Sequence, residues 1–456
     1  GEAYVTPAVG DLDSDGIPEI VTVDYTTGRL HVIDGRTGDA IDNIAYENTY
    51  NIFSGGAAIA DVDNDGTAEI FLVTGNAQSG ADNNNARQYI TRFDYDNRTL
   101  SKTWKQSFGR INVTEYSDQK WAVVQFADFD EDGVTELFIG NHVMSSVTGA
   151  IIASPTVAQR NSWPRGRIPP HDPGRPYGDN MSAAYDVLPA DSCPNCDGLE
   201  LVCGNTVYAV DLSDPTDDET GITLATQLTP TATYTDGLTS LADWDGDGQM
   251  DIIVTGYRAG SARFYIWDPR EDTLIIDETI IPNSGKHPTR QDWGAGRATV
   301  ADFDGDGVNE FAIVSRHRLN MYEHDGSLKW YSPGYDDSQK TSATAFDFEG
   351  DGKTEVIYRD QFWLRIIDGV TGKTKDSLSC TSGTRVEMPV IADVDADGEA
   401  EIVISCGGST VVYTSNQTPW MPTRRVWNSL HYTPTFVNDD LTIPAQRQNK
   451  ADIPRL

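Results

Sequence analysis

The chain has 456 residues, with 70 Asp and Glu against 34 Lys and Arg, a formal net charge of −36. Such acidity argues against a nucleic-acid binder, because phosphates would be repelled. Apolar residues at 38%, with 10 Trp, 19 Tyr and 14 Phe, exclude wholesale disorder, and no run of ~18 apolar residues marks a membrane helix. The start at Gly1 lacks a Met, a charged n-region and an apolar h-region. The chain therefore reads as a processed or excised piece of a longer multidomain protein, with any signal peptide removed.

One repeat dominates the sequence. The loop Asp-x-Asp-x-Asp-Gly-x-x-Glu supplies Asp11, Asp13, Asp15 and Glu19, then Asp61, Asp63, Asp65 and Glu69, then Asp128, Asp130, Asp132 and Glu136. It recurs, with Asp or Glu exchanged at single positions, as Asp243, Asp245, Asp247 and Asp251; Asp302, Asp304, Asp306 and Glu310; Asp347, Glu349, Asp351 and Glu355; and Asp393, Asp395, Asp397 and Glu401. A degenerate copy, DVLPADSCPNCDGLE, starts at Asp186. Counting it, eight units fill the chain at intervals of 50, 67, 58, 57, 59, 45 and 46 residues.

Within each unit the elements follow one order. An apolar run precedes the acidic loop (GGAAIADV, GRATVADF), and a β-branched run follows it (EIVTVD, EFAIVS). About ten residues later comes a third short run with a turn (RLHVIDGRTG, WLRIIDGVTG), and a weaker fourth run closes the unit. These are strand signals, and sustained helical periodicity is missing. Four short antiparallel strands per ~55 residues predict the blade of a β-propeller. The predicted fold is all-β, a β-propeller of about eight four-stranded blades over 1–422, with 423–456 as a closing strand and C-terminal linker.

The loops carry the chemistry. Acids at positions 1, 3, 5 and 9 around a Gly at position 6 make an all-oxygen, hard-cation site of the kind that suits Ca²⁺ rather than zinc. An EF-hand needs Glu at position 12, where this chain has Thr22, Leu72, Ile139, Val254, Ile313, Tyr358 and Ile404. Removing the 28 loop acids from the 70 leaves 42 against 34 bases, so most of the excess charge lies in the loops. Packed carboxylates repel by ~1–4 kcal/mol per close pair without a counter-ion. About seven structural calcium sites with Kd ~0.1 mM in ~1 mM calcium would contribute ~10 kcal/mol together. Sites this weak stay empty in a cytosol, which predicts a secreted or cell-surface protein.

Five cysteines leave at least one thiol unpaired within the chain. Cys193 and Cys196, inside the degenerate fourth loop, are expected to form a local disulfide that does there what calcium does elsewhere. Cys380 and Cys406 lie in neighbouring strand segments and can also bridge. Cys203 would then be a buried thiol.

The seven loops, each between two apolar strands, resemble the FG-GAP and VCBS repeats of integrin α subunits and of many secreted bacterial proteins. The resemblance implies a calcium-bearing propeller; integrin propellers have seven blades, which makes seven the alternative count. Arg425, Val426, Trp427, Asn428, Tyr432 and 438–444 are similar to segments that follow such repeats in Bacteroidota surface proteins exported by the type IX system, which implies adhesion.

In a propeller, the acidic loops share one face, and the long inserts 76–88, 160–180 and 283–297 fall on the other. Arg165, Arg167, Arg175, Arg290, Trp293 and Arg297 are candidates there for binding an extracellular glycan or surface protein, through bidentate Arg contacts and a flat indole face. The competing class is an enzyme. Some rhamnogalacturonan lyases are calcium propellers that resemble this chain, and His171 and His287 are the only catalytic candidates of that reading. The sequence contains no nucleophile elbow, zinc-protease or phosphate-loop motif.

Overall fold

The β-branched run after each acidic loop has apolar residues at successive positions because both of its faces are covered. In the second unit-strand Glu310–Ser315 every residue is buried. In Glu19–Asp24 only the last is not. A computed structural model describes residues 5–24, 26–46, 56–76, 86–111, 123–156, 164, 181–214, 221–283, 294–339, 341–384, 387–416 and 418–445. Eight antiparallel sheets follow one another along the chain, each a meander whose strands pair in sequence order. Blade 1 is typical, with strands Ala8–Gly10, Glu19–Asp24, Arg29–Asp34 and Ala40–Ala45.

Blades 1 to 7 have four strands, and blade 8 has three among the described residues. The count is therefore eight blades, as the repeat arithmetic predicts, and not seven. The first strands are short and mostly buried, for example Ala57–Ala60, Gln125–Ala127 and Val390–Ala392. The fourth strands are largely exposed, as in Thr374–Ser379. First strands thus line the axis and fourth strands form the rim.

The core lies between blades. Phe264 of blade 5 meets Phe311 and Tyr322 of blade 6, with ring centroids 4.9 and 4.8 Å apart. Neighbouring acidic loops also interlock. The Ala68 amide donates to the Leu12 carbonyl (3.0 Å), and Thr135 donates to Val62 (3.1 Å). Asn309 Nδ2 donates to the Asp243 carbonyl (3.1 Å) and Thr354 Oγ1 to that of Asp302 (2.9 Å). Blades 8 and 1 close the ring through Arg36 Nε on the Asp395 carbonyl (3.2 Å) and Arg425 Nη1 on that of Gly16 (3.2 Å). A Cβ at Gly35 would sit 2.0 Å from the Val394 carbonyl, so this closure needs glycine.

Residues 424–443 do not add a fourth strand to blade 8. They turn inward and pack along the first strands. Trp427 and Val9 exchange two backbone hydrogen bonds at 2.8 Å, Ile59 donates to Asn428 and Asp61 to Leu441. Phe436 lies 5.9 Å from Tyr185 of blade 4. Contact with blades 8, 1, 2 and 4 from one short segment is geometrically open only on the axis. Arg424 ties the segment to itself, donating to the carbonyls of Pro434 (2.7 Å) and Val437 (2.8 Å). Cys193–Cys196 and Cys380–Cys406 are disulfides, and Cys203 is a buried thiol, as expected from sequence. The second bridge joins the exit of blade 7 to the second strand of blade 8.

Candidate metal centre

Each acidic loop connects the first and second strands of its blade, and one hydrogen-bond scheme recurs. The position-9 acid turns back and accepts the position-2 amide. Glu19 accepts from Leu12 (2.9 Å), Glu69 from Val62 (3.1 Å), Glu136 from Phe129 (2.9 Å) and Asp251 from Trp244 (2.8 Å). Glu310, Glu355 and Glu401 do the same for Phe303, Phe348 and Val394. The position-1 carboxylate accepts from the amides of positions 5 and 6; Asp11 takes those of Asp15 (3.0 Å) and Gly16 (2.8 Å). The position-5 acid accepts from position 7, as Asp132 does from Val134 (2.7 Å).

This winding requires a left-handed backbone twice. Position 6 has φ of 90° at Gly16, 85° at Gly133 and 95° at Gly398. Position 4 has φ of 57° at Ser14, 56° at Asn64 and 80° at Gly246. Glycine at position 6 removes the Cβ penalty, and the small or polar residues common at position 4 reduce it.

The result is a set of converging carboxylates. In the groups Asp11, Asp13 and Asp15; Asp61, Asp63 and Glu69; Asp128, Asp130 and Glu136; Asp243, Asp245 and Asp251; and Asp302, Asp304 and Asp306, one ligand atom of each residue lies within 4.8 Å of the others. Asp13 Oδ1, Asp304 Oδ1 and Asp393 Oδ1 are buried without a hydrogen-bond partner. Burial pushes Glu19, Glu69, Glu136 and Glu401 up to about 8, and Asp251 and Glu355 up to about 7. Three or four oxygens per loop, orphaned lone pairs and a desolvated acid fit a hard divalent cation.

The loops are not equivalent. In three units a side-chain cation already lies between positions 3 and 9. Arg92 Nη2 is 3.3 Å from Asp63 and 3.0 Å from Glu69. Lys329 Nζ is 2.6 Å from Asp304 and 3.3 Å from Glu310. Lys375 Nζ is 2.6 Å from Glu349 and 3.0 Å from Glu355. Among the described residues, units 1, 3, 5 and 8 have no cation bridging these two positions; Arg98 touches Asp15 (3.3 Å) and Arg425 touches Asp393 (3.2 Å) from outside. The internal cations escape a motif search because they sit outside the loop. The signal available was a basic residue 19, 20 or 23 positions after the closing acid.

Unit 4 keeps the cap without the acids. Glu200 accepts from Val187 (2.8 Å) and Leu188 (3.1 Å), while Asp186 pairs with Arg270 (3.1 Å). The Cys193–Cys196 disulfide holds the intervening turn.

The profile of the FG-GAP-like repeat matches residues 11–72, 243–313 and 302–358. These are FG-GAP-like repeats. Each matched segment runs from one acidic loop through the next and into the strand that follows it. Cartilage acidic protein 1 of Xenopus tropicalis is 23% identical over 379 residues, covering 77% of this chain and 56% of that protein. The chain thus spans little more than half the length of that relative. The V. cholerae biofilm matrix protein Bap1 superposes with a TM-score of 0.64 at 16% identity, over 98% of this chain and 94% of that one. That likeness shows the fold. The rhamnogalacturonan lyase YesW aligns with a TM-score of 0.40 at 16% identity, over 96% of this chain and 64% of its own, too low to carry an argument.

Of the residues proposed for the insert-bearing face, Arg165, Arg167, Arg175, Arg290, Trp293, His171 and His287 lie outside the described residues. Arg297 is described, and it points inward. Its Nε donates to Ser240 Oγ (3.1 Å), and burial pushes its guanidinium down to about 10. It faces His431 of the axial segment, whose imidazole is pushed down to about 3 by burial and by that charge. Arg297 therefore belongs to the packing around the axis rather than to an open rim.

Proposed function

We propose that the FG-GAP-like loops of units 1, 2, 3, 5, 6, 7 and 8 hold structural calcium, and that the stabilised ring is a non-catalytic binding module of a secreted or cell-surface protein, engaging a glycan or another surface protein. The observation that carries this reading is the recurrence of one capped, carboxylate-lined loop around a closed ring. Bound calcium would neutralise acids that burial otherwise forces to stay protonated. The two disulfides support an oxidising compartment. No described helix is long and apolar enough to cross a membrane. Five of the seven histidines are described, and three of them have clear structural settings. His324 stacks on Trp244 (4.8 Å), His431 is buried on the axis and His317 lies beside Asp337 (3.1 Å).

The test is a glycan and extracellular-protein array probed with the calcium-loaded chain and again after chelation. Calcium-dependent retention without change to the bound polymer supports a binding module. Conversion of pectic polymers to unsaturated, ultraviolet-absorbing products would instead make the chain a polysaccharide lyase.

A further inference from the structure

The face opposite the acidic loops carries a group of exposed aromatic residues where blades 6 and 7 meet. Tyr335 is 54% exposed, Phe362 48% and Trp363 41%. Solvent-facing rings of this size are not needed for the inter-blade core, and two of them touch. Tyr335 and Phe362 meet edge to face with centroids 5.4 Å apart, and the His317 ring stands 6.0 Å from Tyr335.

These rings stand on a fixed base. Asp360 is fully buried and accepts three backbone amides, those of Tyr335 (3.1 Å), Phe362 (2.8 Å) and Trp363 (2.9 Å). Arg365 neutralises it at 2.8 Å and donates to the Pro333 carbonyl at 2.7 Å. One carboxylate therefore sets the backbone under all three aromatic residues, across two blades. A second buried pair, Arg359 and Glu387 at 3.3 Å, stiffens the floor. Beyond Pro333, Arg318 covers the exposed ring of Tyr331 at 3.7 Å.

We propose that Tyr335, Phe362 and Trp363 form a stacking platform for an uncharged polysaccharide. The C–H bonds on one face of a pyranose are apolar and slightly positive, and they match the negative face of an aromatic ring. Rings held by backbone bonds lose little entropy on binding. Asp337 and His317, 3.1 Å apart at the edge of Tyr335, supply hydrogen-bond partners for hydroxyls. Charge selects the class. Arg316, Arg359 and Arg365 are paired with Asp337, Glu387 and Asp360, so these cations are not free to attract a polyanion. The body of the protein, at −36, repels one. Asp360 acts as a positioning residue.

This deepens the binding-module reading and rests on it. The experiment is native affinity electrophoresis of the calcium-loaded chain through gels containing dextran, mixed-linkage β-glucan, galactomannan or hyaluronate. Retardation by at least one neutral polymer is expected. Tyr335→Ala and Phe362→Ala should each weaken it about tenfold. Asp360→Asn, checked for an unchanged circular dichroism spectrum, should weaken it with all three rings still present. Retardation by hyaluronate alone, by no polymer, or equally in the Tyr335→Ala/Phe362→Ala double variant overturns the platform. So does a concentration-dependent dimer abolished by Phe362→Ala, which would assign the rings to a second copy. If a polymer binds but the double variant is unaffected, the binding module survives and only the platform falls.

Discussion

The Val187 amide donates to Glu200 Oε2 at 2.8 Å across thirteen residues, the bond that Leu12 makes to Glu19 across seven. The cap is therefore independent of the acids between its ends. In unit 4 the Cys193–Cys196 disulfide restrains the longer turn. Replacing both cysteines with Ser should destabilise the chain by about 2 kcal/mol, the loop-closure value for so short a ring. The loss should be the same with calcium or chelator, measured by urea unfolding.

The pH dependence of the ion-free chain follows from the desolvated caps. Glu19, Glu69, Glu136, Glu200 and Glu401 rise from 4.5 to about 8 on folding. Their protonated form is favoured by the fold, so that contribution is complete below pH 4.5 and is lost as pH climbs through about 8. In chelator the Tm should fall steadily across this window. The calcium-loaded chain needs the ionised acids, so the gap between the two melting curves should widen with pH.

Much of this was legible in the sequence. Eight units at seven intervals of similar length give the ring, and the fixed spacing from Asp11 to Glu19 gives the loop. What was not legible depends on contacts far apart in the chain. Val9 and Trp427 meet because the ring brings both to its axis, which no local pattern encodes. Arg92, Lys329 and Lys375 reach the loops from the third and fourth strands, where a basic residue also reads as an ordinary solvated position. Phe362 and Trp363 follow Asp360 in a short hairpin turn, and only the buried carboxylate beneath distinguishes them from exposed strand aromatics.

The internal cations make the loops unequal. A divalent ion in unit 6 must displace Lys329 from Asp304 and Glu310. Lys329→Gln should raise calcium affinity in that unit by about tenfold, since one opposing charge at contact distance is removed. Isothermal titration should show a weak class of sites in the parent chain that tightens in the variant.

The axial segment is held by Arg424. Arg424→Ala would strand the Pro434 and Val437 carbonyls in a buried setting and free Asp439. A loss of about 2–4 kcal/mol is expected. Hydrogen exchange should rise first at the amides of Trp427, Val9 and Ile59, which donate to the carbonyls of Val9, Trp427 and Asn428.

The most direct measurement is metal analysis of the dialysed chain, joined to thermal melts with and without a calcium chelator. At millimolar calcium the chain should retain at least four ions, those of units 1, 3, 5 and 8, and chelation should lower its Tm by many degrees. A chain that retains no divalent ion and melts at the same temperature either way would contradict the account.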